Sequence, residues 1–383
     1  MASNTGNVAL IFGASGISGW ALMRECLSYP LQDTFARVIA LTKRPLSKRA
    51  ACVPDDPRLE IQNGLDLTNE DQVEPKLKSI EGISDVTHIY FVAYTGHGSS
   101  AEELVRVNAE IIDNALKAID KLCPKLKFFV LQTGGKGYGT VGAGWPPAPW
   151  KEDLPRLPQP YASKIFYYAQ YDVMVKHAAK SSWKWSEIRP SFLPGYVPHH
   201  NAMNIAQALG LYLSFYRSKK GAGAKCIFPG TQESWEALHT DSFQDLVAHF
   251  HIHVSLHPEK TQGRSLNIGD GESVSWERKW PVLCKYFDLE GVGPSEQIDK
   301  ELSGIEWVMA QRDSWPAWIK ENGLRDNVLE ETKWDILDTS WRSSIQIDYD
   351  LTASREVGFY ETLEPGQGYM LAFDRLRKGK FLP

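Results

Sequence analysis

The sequence predicts an α/β protein in which a doubly wound parallel sheet carries a smaller, mainly helical C-terminal lobe. Three observations lead there. Short, nearly continuous apolar runs recur through the first half of the chain, at residues 8–12, 38–42, 59–63, 88–93, 128–132 and 185–189. Longer stretches of helical periodicity separate them, among them 18–29, 102–122 and 164–179. The second half is less regular and rich in Trp and Pro, and 383 residues are more than one small core requires.

Each element follows from the same physics. Strands without polar alternation must be covered on both faces, and helices between parallel strands supply that cover. Such a sheet binds ligands beyond the carboxyl ends of its strands. The cofactor half is expected to span residues 1–195, with a returning segment near 225–270 that brings back strands at 225–228 and 265–268. The remainder, 196–383, is the expected substrate lobe, with no linker between the two. Trp307, Trp315, Trp318, Trp334 and Trp341 fall there and are read as core packing ahead of a cavity lining.

Composition narrows the classes of function. A net charge of −5 with both signs interspersed gives no footprint for nucleic acid and no polybasic membrane patch. No apolar run is long enough to cross a bilayer, and no leader precedes the first strand. Five scattered cysteines, none in a C-x-x-C pair, fit a reducing compartment, so a cytoplasmic location is expected.

The strongest motif is Gly13-Ala14-Ser15-Gly16-Ile17-Ser18-Gly19, directly after the first strand and opening a helix. Glycines are needed where the turn is tight and a pyrophosphate approaches the backbone, and the helix N-terminus supplies unpaired N–H groups. Strand, turn and helix in this order form a Rossmann-type dinucleotide site. The second strand ends in Thr42-Lys43-Arg44, with no acid to hold a ribose 2′-hydroxyl. Two cations and a hydroxyl suit a 2′-phosphate, so NADPH/NADP is the expected cofactor. Asp66-Leu67, after the third strand, is placed to meet the adenine.

The Tyr-x-x-x-Lys pair of ordinary short-chain dehydrogenases, which shares one helix face, is missing from the expected helix. Tyr216-Arg217-Ser218-Lys219-Lys220 has the spacing but lies after the sixth strand, at an exposed helix end, and Tyr161-Ala162-Ser163-Lys164 has the wrong spacing. What the chain offers instead is Leu131-Gln132-Thr133-Gly134-Gly135-Lys136 ending the fifth strand and Phe166-Tyr167-Tyr168-Ala169-Gln170-Tyr171-Asp172 on the helix. This pattern resembles the progesterone 5β-reductase/iridoid synthase-like family, an atypical branch of the extended short-chain dehydrogenases. The resemblance runs nearly end to end, through Asp85-Val86-Thr87-His88, Glu152-Asp153-Leu154-Pro155-Arg156-Leu157, Arg189-Pro190, Asn201-Ala202-Met203-Asn204, Glu321-Asn322-Gly323-Leu324 and a terminal Gly379-x-Phe381…Pro383.

The resemblance implies NADPH-dependent 1,4-reduction of enones and enals, a small apolar carbonyl substrate, and a homodimer. It makes Lys136 and Tyr167 the catalytic pair, with Tyr168 the rival if the register slips. The chemistry is consistent: hydride addition to the β-carbon places negative charge on the carbonyl oxygen, where a tyrosine O–H acts as an oxyanion donor. A neighbouring ammonium favours phenolate character. In a ketone the same tyrosine would protonate an alkoxide, so the residues leave carbonyl reduction open, as well as cyclisation or isomerisation with retained NADP, or an NADP-responsive regulator.

Three positions depart from the family pattern: Gly137-Tyr138-Gly139-Thr140-Val141-Gly142 replaces an aromatic-rich wall, Ile165 an asparagine, and Tyr171 a glutamate. The first predicts a roomier substrate wall; the other two read as structural. His249-Phe250-His251-Ile252-His253 does not present a coherent ligand set, and no metal is expected. The segment 242–257 reads as a surface helix with Phe243, Leu246, Val247 and Ile252 inward, His199-His200 as a solvated loop, and Asn108 as a helix-stabilising residue.

Overall fold

The computed structural model describes residues 6–96, 100–139, 143–199, 201, 204–295 and 304–383. Its strands are β1 (Asn7–Phe12), β2 (Phe35–Thr42), β3 (Leu59–Asn63), β4 (His88–Phe91), β5 (Phe128–Gln132), β6 (Lys184–Pro190), β7 (Lys225–Ile227), β8 (Arg264–Ile268) and β9 (Glu290–Val292). Seven of them form one parallel sheet in the order β3-β2-β1-β4-β5-β6-β8. The order reverses between β1 and β4, and such a switch point opens a crevice at the carboxyl ends.

Burial explains the apolar runs. Residues Val8 to Phe12 are all at most 3% exposed, because each face of β1 is covered. The helices Glu70–Lys78, Ala101–Leu122 and Phe166–Ala178 pack on one face of the sheet. The helices Ile17–Glu25 and Gln244–Leu256 pack on the other. Ser100 starts the long Ala101–Leu122 helix by accepting a hydrogen bond from the Glu103 N–H at 3.1 Å. Each fully buried large side chain contributes ~1.5–3 kcal/mol relative to exposure, so this two-sided cover accounts for most of the sheet's stability.

Two expectations need correcting. Of the two returning strands only β8 joins the main sheet; β7 pairs with β9 in a separate two-stranded sheet. The segment that rejoins the cofactor half therefore begins with the Gln244–Leu256 helix. That helix is not a surface helix. It is wedged against Ile17–Glu25 and the sheet, with Phe250, His251, Ile252 and Val254 all fully buried. It is buried nearly all round, polar residues such as Gln244, His251 and Ser255 included, which a one-sided reading of its periodicity missed.

The three histidines on it turn to different partners. His251 hydrogen-bonds the Val247 carbonyl at 2.7 Å and His253 the Val357 carbonyl at 3.0 Å. His249 lies between Glu361 at 2.7 Å and Glu25 at 3.0 Å, stacked on Tyr29. Burial alone would lower its pKa, but the bonds to Glu25 and Glu361 outweigh that and push it up to about 9. A raised pKa stabilises the fold fully below the free value near 6.5, and the gain is lost as pH rises through about 9. Melting temperatures followed across that window should fall more for wild type than for His249→Gln, by the equivalent of roughly 2 kcal/mol. Parallel curves would show that the ion pairs do not matter to stability.

The late tryptophans pack a core. Trp315, Trp318, Trp334 and Trp341 are at most 5% exposed; Trp341 packs edge-on against Tyr212 and Trp318 against Phe215 of the Ile205–Lys220 helix. The lobe is laced to the cofactor half. Residues 345–350 run back to bridge Trp150 and His239, Arg375 pairs with Asp245, and the Arg375 guanidinium lies 5.5 Å from the Trp20 ring. Among the described residues no helix is long and apolar enough to cross a membrane.

Candidate active site

Gly13 leaves β1 with φ +84°, and a Cβ there would lie 2.8 Å from the backbone of Ala93. At Gly19 a Cβ would collide with the Gly13 carbonyl and sit 2.6 Å from Ala14 Cα. These two positions exclude side chains so that the turn folds flat on the helix start. The Gly16 N–H closes the turn on the Gly13 carbonyl at 3.0 Å, and Gly16 caps the Ile17–Glu25 helix without a side chain. Ser15 is half-buried at the apex, and Ile17 packs inward against Gly195 of the loop after β6. Gln132, ending β5, donates to Ser18 Oγ at 2.9 Å. The cradle at the switch point thus has the shape that a pyrophosphate requires.

Beyond β2 the expected phosphate contacts divide. The Thr42 side chain is buried, and its hydroxyl lies 2.8 Å from both Asn63 Oδ1 and the Arg44 carbonyl, so it shapes the turn rather than facing a ligand. Asn63 also bonds the Leu46 N–H and carbonyl, stapling residues 42–46 to β3. Lys43 pairs with Asp66 at 2.7 Å. Burial pushes the Asp66 carboxyl up, but Lys43 and Thr68 outweigh it and hold it below its ordinary value. Arg44 is exposed and has no ionic partner among the described residues. The Leu67 side chain joins the core, while its carbonyl accepts from Asn114 at 3.0 Å.

Lys136 sits on the single turn Gly135–Gly137 that follows β5, exposed and without an ion pair among the described residues. A network holds the turn from both sides. Thr133 donates to Glu187 at 2.6 Å, and Glu187 pairs with Arg189 at 2.8 Å. Arg189 reaches the Tyr138 hydroxyl at 3.1 Å, which donates to Asn267 at 2.6 Å. Burial drives the Arg189 guanidinium toward neutrality, yet Glu187 and Tyr138 more than offset it and keep the charge. From the far side the Tyr349 hydroxyl rests on Gly135 and donates to the Pro190 carbonyl at 3.3 Å.

Tyr167 and Tyr168 have different environments. The Tyr168 hydroxyl donates to the Gly137 carbonyl at 2.5 Å and accepts the Leu157 N–H at 3.0 Å, with Arg156 over its ring. The Tyr167 hydroxyl has no hydrogen-bonding partner among the described residues and faces Gly134, where a Cβ would lie 3.3 Å away. Burial, then Tyr94 and Glu187, push its phenol well above the usual range. In this environment the hydroxyl is a neutral O–H donor.

Asn108 ties the loop after β4 to its helix, bonding the Thr95 N–H at 2.9 Å and carbonyl at 3.0 Å. Ile165 is buried, and Tyr171 packs edge-on against Trp185. The wall expected to be roomier is filled where it is described: Tyr138, Trp145, Trp150 and Tyr349 form one aromatic cluster. Thr140, Val141, Gly142, His200, Ala202 and Met203 lie outside the described residues. Tyr216 bonds the Lys225 carbonyl near the end of the Ile205–Lys220 helix. Asn63, Asn114, Glu187 and Tyr349 were not expected from the sequence, and only the polar residues within apolar strands hinted at the first and third.

A glycine cradle at the switch point, with a lysine and a tyrosine at the ends of the next elements, defines an NAD(P)-dependent oxidoreductase of the short-chain dehydrogenase type. The chain belongs to the family described as PRISE-like Rossmann-fold domain, whose model matches residues 9–383. Among its relatives is the short chain dehydrogenase ausT of Aspergillus calidoustus, 35% identical over 100% of this chain and 96% of that one. The 3-oxo-Δ(4,5)-steroid 5-beta-reductase of Arabidopsis thaliana is 30% identical over 98% and 93%. An (S)-8-oxocitronellyl enol synthase of Nepeta cataria is 31% identical over 98% and 92%. The fold is also shared with DesIV, a dTDP-glucose 4,6-dehydratase from Streptomyces venezuelae solved with NAD. That match has TM-score 0.60 and 15% identity, covering 97% of each chain.

Proposed function

We propose that this protein is an NADPH-dependent reductase of the C=C bond in α,β-unsaturated carbonyl compounds. The observation that carries the reading is Tyr167: a partly buried, protonated hydroxyl without a partner among the described residues, at the end of β5 beside the Lys136 turn. Bound at the glycine cradle, NADPH would supply the hydride for the β-carbon. The chain does the rest. Tyr167 donates a hydrogen bond to the carbonyl oxygen and stabilises the enolate, a contact that strengthens as charge develops. Lys136 stands at the mouth to hold the nicotinamide ribose, and the network around Thr133 and Tyr138 fixes its turn. A proton taken up from solvent water at the α-carbon then gives the saturated carbonyl compound. The steroid 5-beta-reductase and enol synthase relatives support an enone or enal as the substrate.

The test is product analysis with an enone panel, its saturated ketones and NADPH. Saturated ketones formed from enones, and lost in Lys136→Ala, support the reading. Alcohols formed from the saturated ketones alone would replace it with carbonyl reduction.

Preference for NADPH rests on Arg44, because Lys43 is already paired with Asp66. Arg44→Ala should raise KM for NADPH about tenfold while leaving KM for NADH nearly unchanged, the loss expected for one charge-assisted contact. Equal losses with both cofactors would place Arg44 elsewhere than at the 2′-phosphate.

A further inference from the structure

The turn that carries Lys136 has little to hold it from within. A glycine flanks the lysine on each side, and no ion pair anchors the Lys136 side chain among the described residues. Its internal bonds run from the Gly137 N–H to the Gly134 carbonyl at 3.4 Å and from the Tyr138 N–H to the Gly135 carbonyl at 2.9 Å. Glycine backbone is the most easily displaced, so the place of the lysine depends on what abuts the turn.

On the Gly137 side that is the Tyr168 hydroxyl, and on the Gly135 side it is Tyr349. The three atoms nearest to a Cβ on Gly135 would all belong to Tyr349. The Cβ would collide with the hydroxyl, whereas ring Cζ at 3.5 Å and Cε1 at 3.9 Å are ordinary contacts. The backbone of Gly135 is not left-handed and would admit a side chain. Glycine is needed there because the Tyr349 hydroxyl takes the space. The brace is itself held firmly. Tyr349 is buried, its N–H donates to Thr240 Oγ1 at 2.9 Å, and its ring packs against Tyr138 and Trp150. On either side of it, Asp348 and Asp350 bond the Trp150 backbone at 2.7 and 2.9 Å.

We propose that Tyr349 is a positioning residue for Lys136. Its hydroxyl fills the space of the missing Gly135 side chain and fixes the turn, so that the lysine meets the nicotinamide ribose. The C-terminal lobe thereby sets the geometry of a cofactor contact made by the other half of the chain. This rests on Lys136 holding that ribose.

The experiment measures binding by calorimetry to the full chain, with two probes. One is NADPH; the other is 2′-phosphoadenosine 5′-diphosphate, which lacks the nicotinamide and its ribose. Tyr349→Phe should weaken NADPH about fivefold, the loss expected for one hydrogen-bonding contact, and leave the fragment unchanged. In a Lys136→Ala background the same substitution should change neither affinity, because the lysine it positions is gone. Gly135→Ala should weaken NADPH more than Tyr349→Phe does, and adding Tyr349→Phe to it should restore affinity, since the hydroxyl it strikes is removed. Should Gly135→Ala misfold, the comparisons on Tyr349→Phe decide alone. Wild-type NADPH affinity in Tyr349→Phe, an equal loss for the fragment, or a loss that persists without Lys136 overturns the proposal. Lys136→Ala with wild-type NADPH affinity removes the lysine's role and the brace together. No carbonyl compound enters these measurements, so a protein that shows the expected affinities but reduces no enone keeps the brace and loses only the enone-reductase reading.

Discussion

Tyr167→Phe should lower kcat for enone reduction about a hundredfold with little change in KM, the loss typical of removing one oxyanion donor. The substitution removes only the hydroxyl, and that hydroxyl holds no structural bond among the described residues. Fold and cofactor binding should therefore be preserved. Tyr168→Phe is the informative contrast. Its hydroxyl joins Gly137 to Leu157, so its loss should lower the melting temperature by a few degrees and kcat only modestly. Steady-state kinetics on both variants decides the register. A larger kcat loss in Tyr168→Phe would transfer the catalytic role to Tyr168.

Gly19→Ala should weaken NADPH binding at least about a hundredfold, measured by titrating cofactor fluorescence. A methyl group there has nowhere to go, with the Gly13 carbonyl on one side and Ala14 Cα at 2.6 Å on the other. Relief requires the turn to lift from the helix start, which moves the N–H groups that would meet the pyrophosphate. Gly16→Ala makes the comparison sharp, because its Cβ would lie at an ordinary 3.4 Å from the Gly13 carbonyl and its φ is −78°. Similar affinities for wild type and Gly19→Ala would mean that the cradle is not the cofactor site.

The parallel sheet was legible because two-sided burial writes itself into sequence as unbroken apolar runs, and β1 to β6 fall where those runs lie. The glycine turn was legible for a similar reason: steric exclusion at Gly13 and Gly19 allows one residue type. Position 225–228 misled because a short apolar run does not say which partner it pairs with, and β9 is more than sixty residues further on. Thr42 misled because a hydroxyl beside two cations looks like a phosphate contact until Asn63 takes it. The split between Tyr167 and Tyr168 was out of reach, since it depends on which hydroxyl meets Gly137 and Leu157 in space.

The contact between Tyr349 and the Gly135 turn has a consequence for biosynthesis. All of β1 to β6 is translated before residue 191, yet the side chain that braces the lysine turn arrives with one of the last segments to be made. The turn that carries Lys136 gains this brace only once the C-terminal lobe folds back over it.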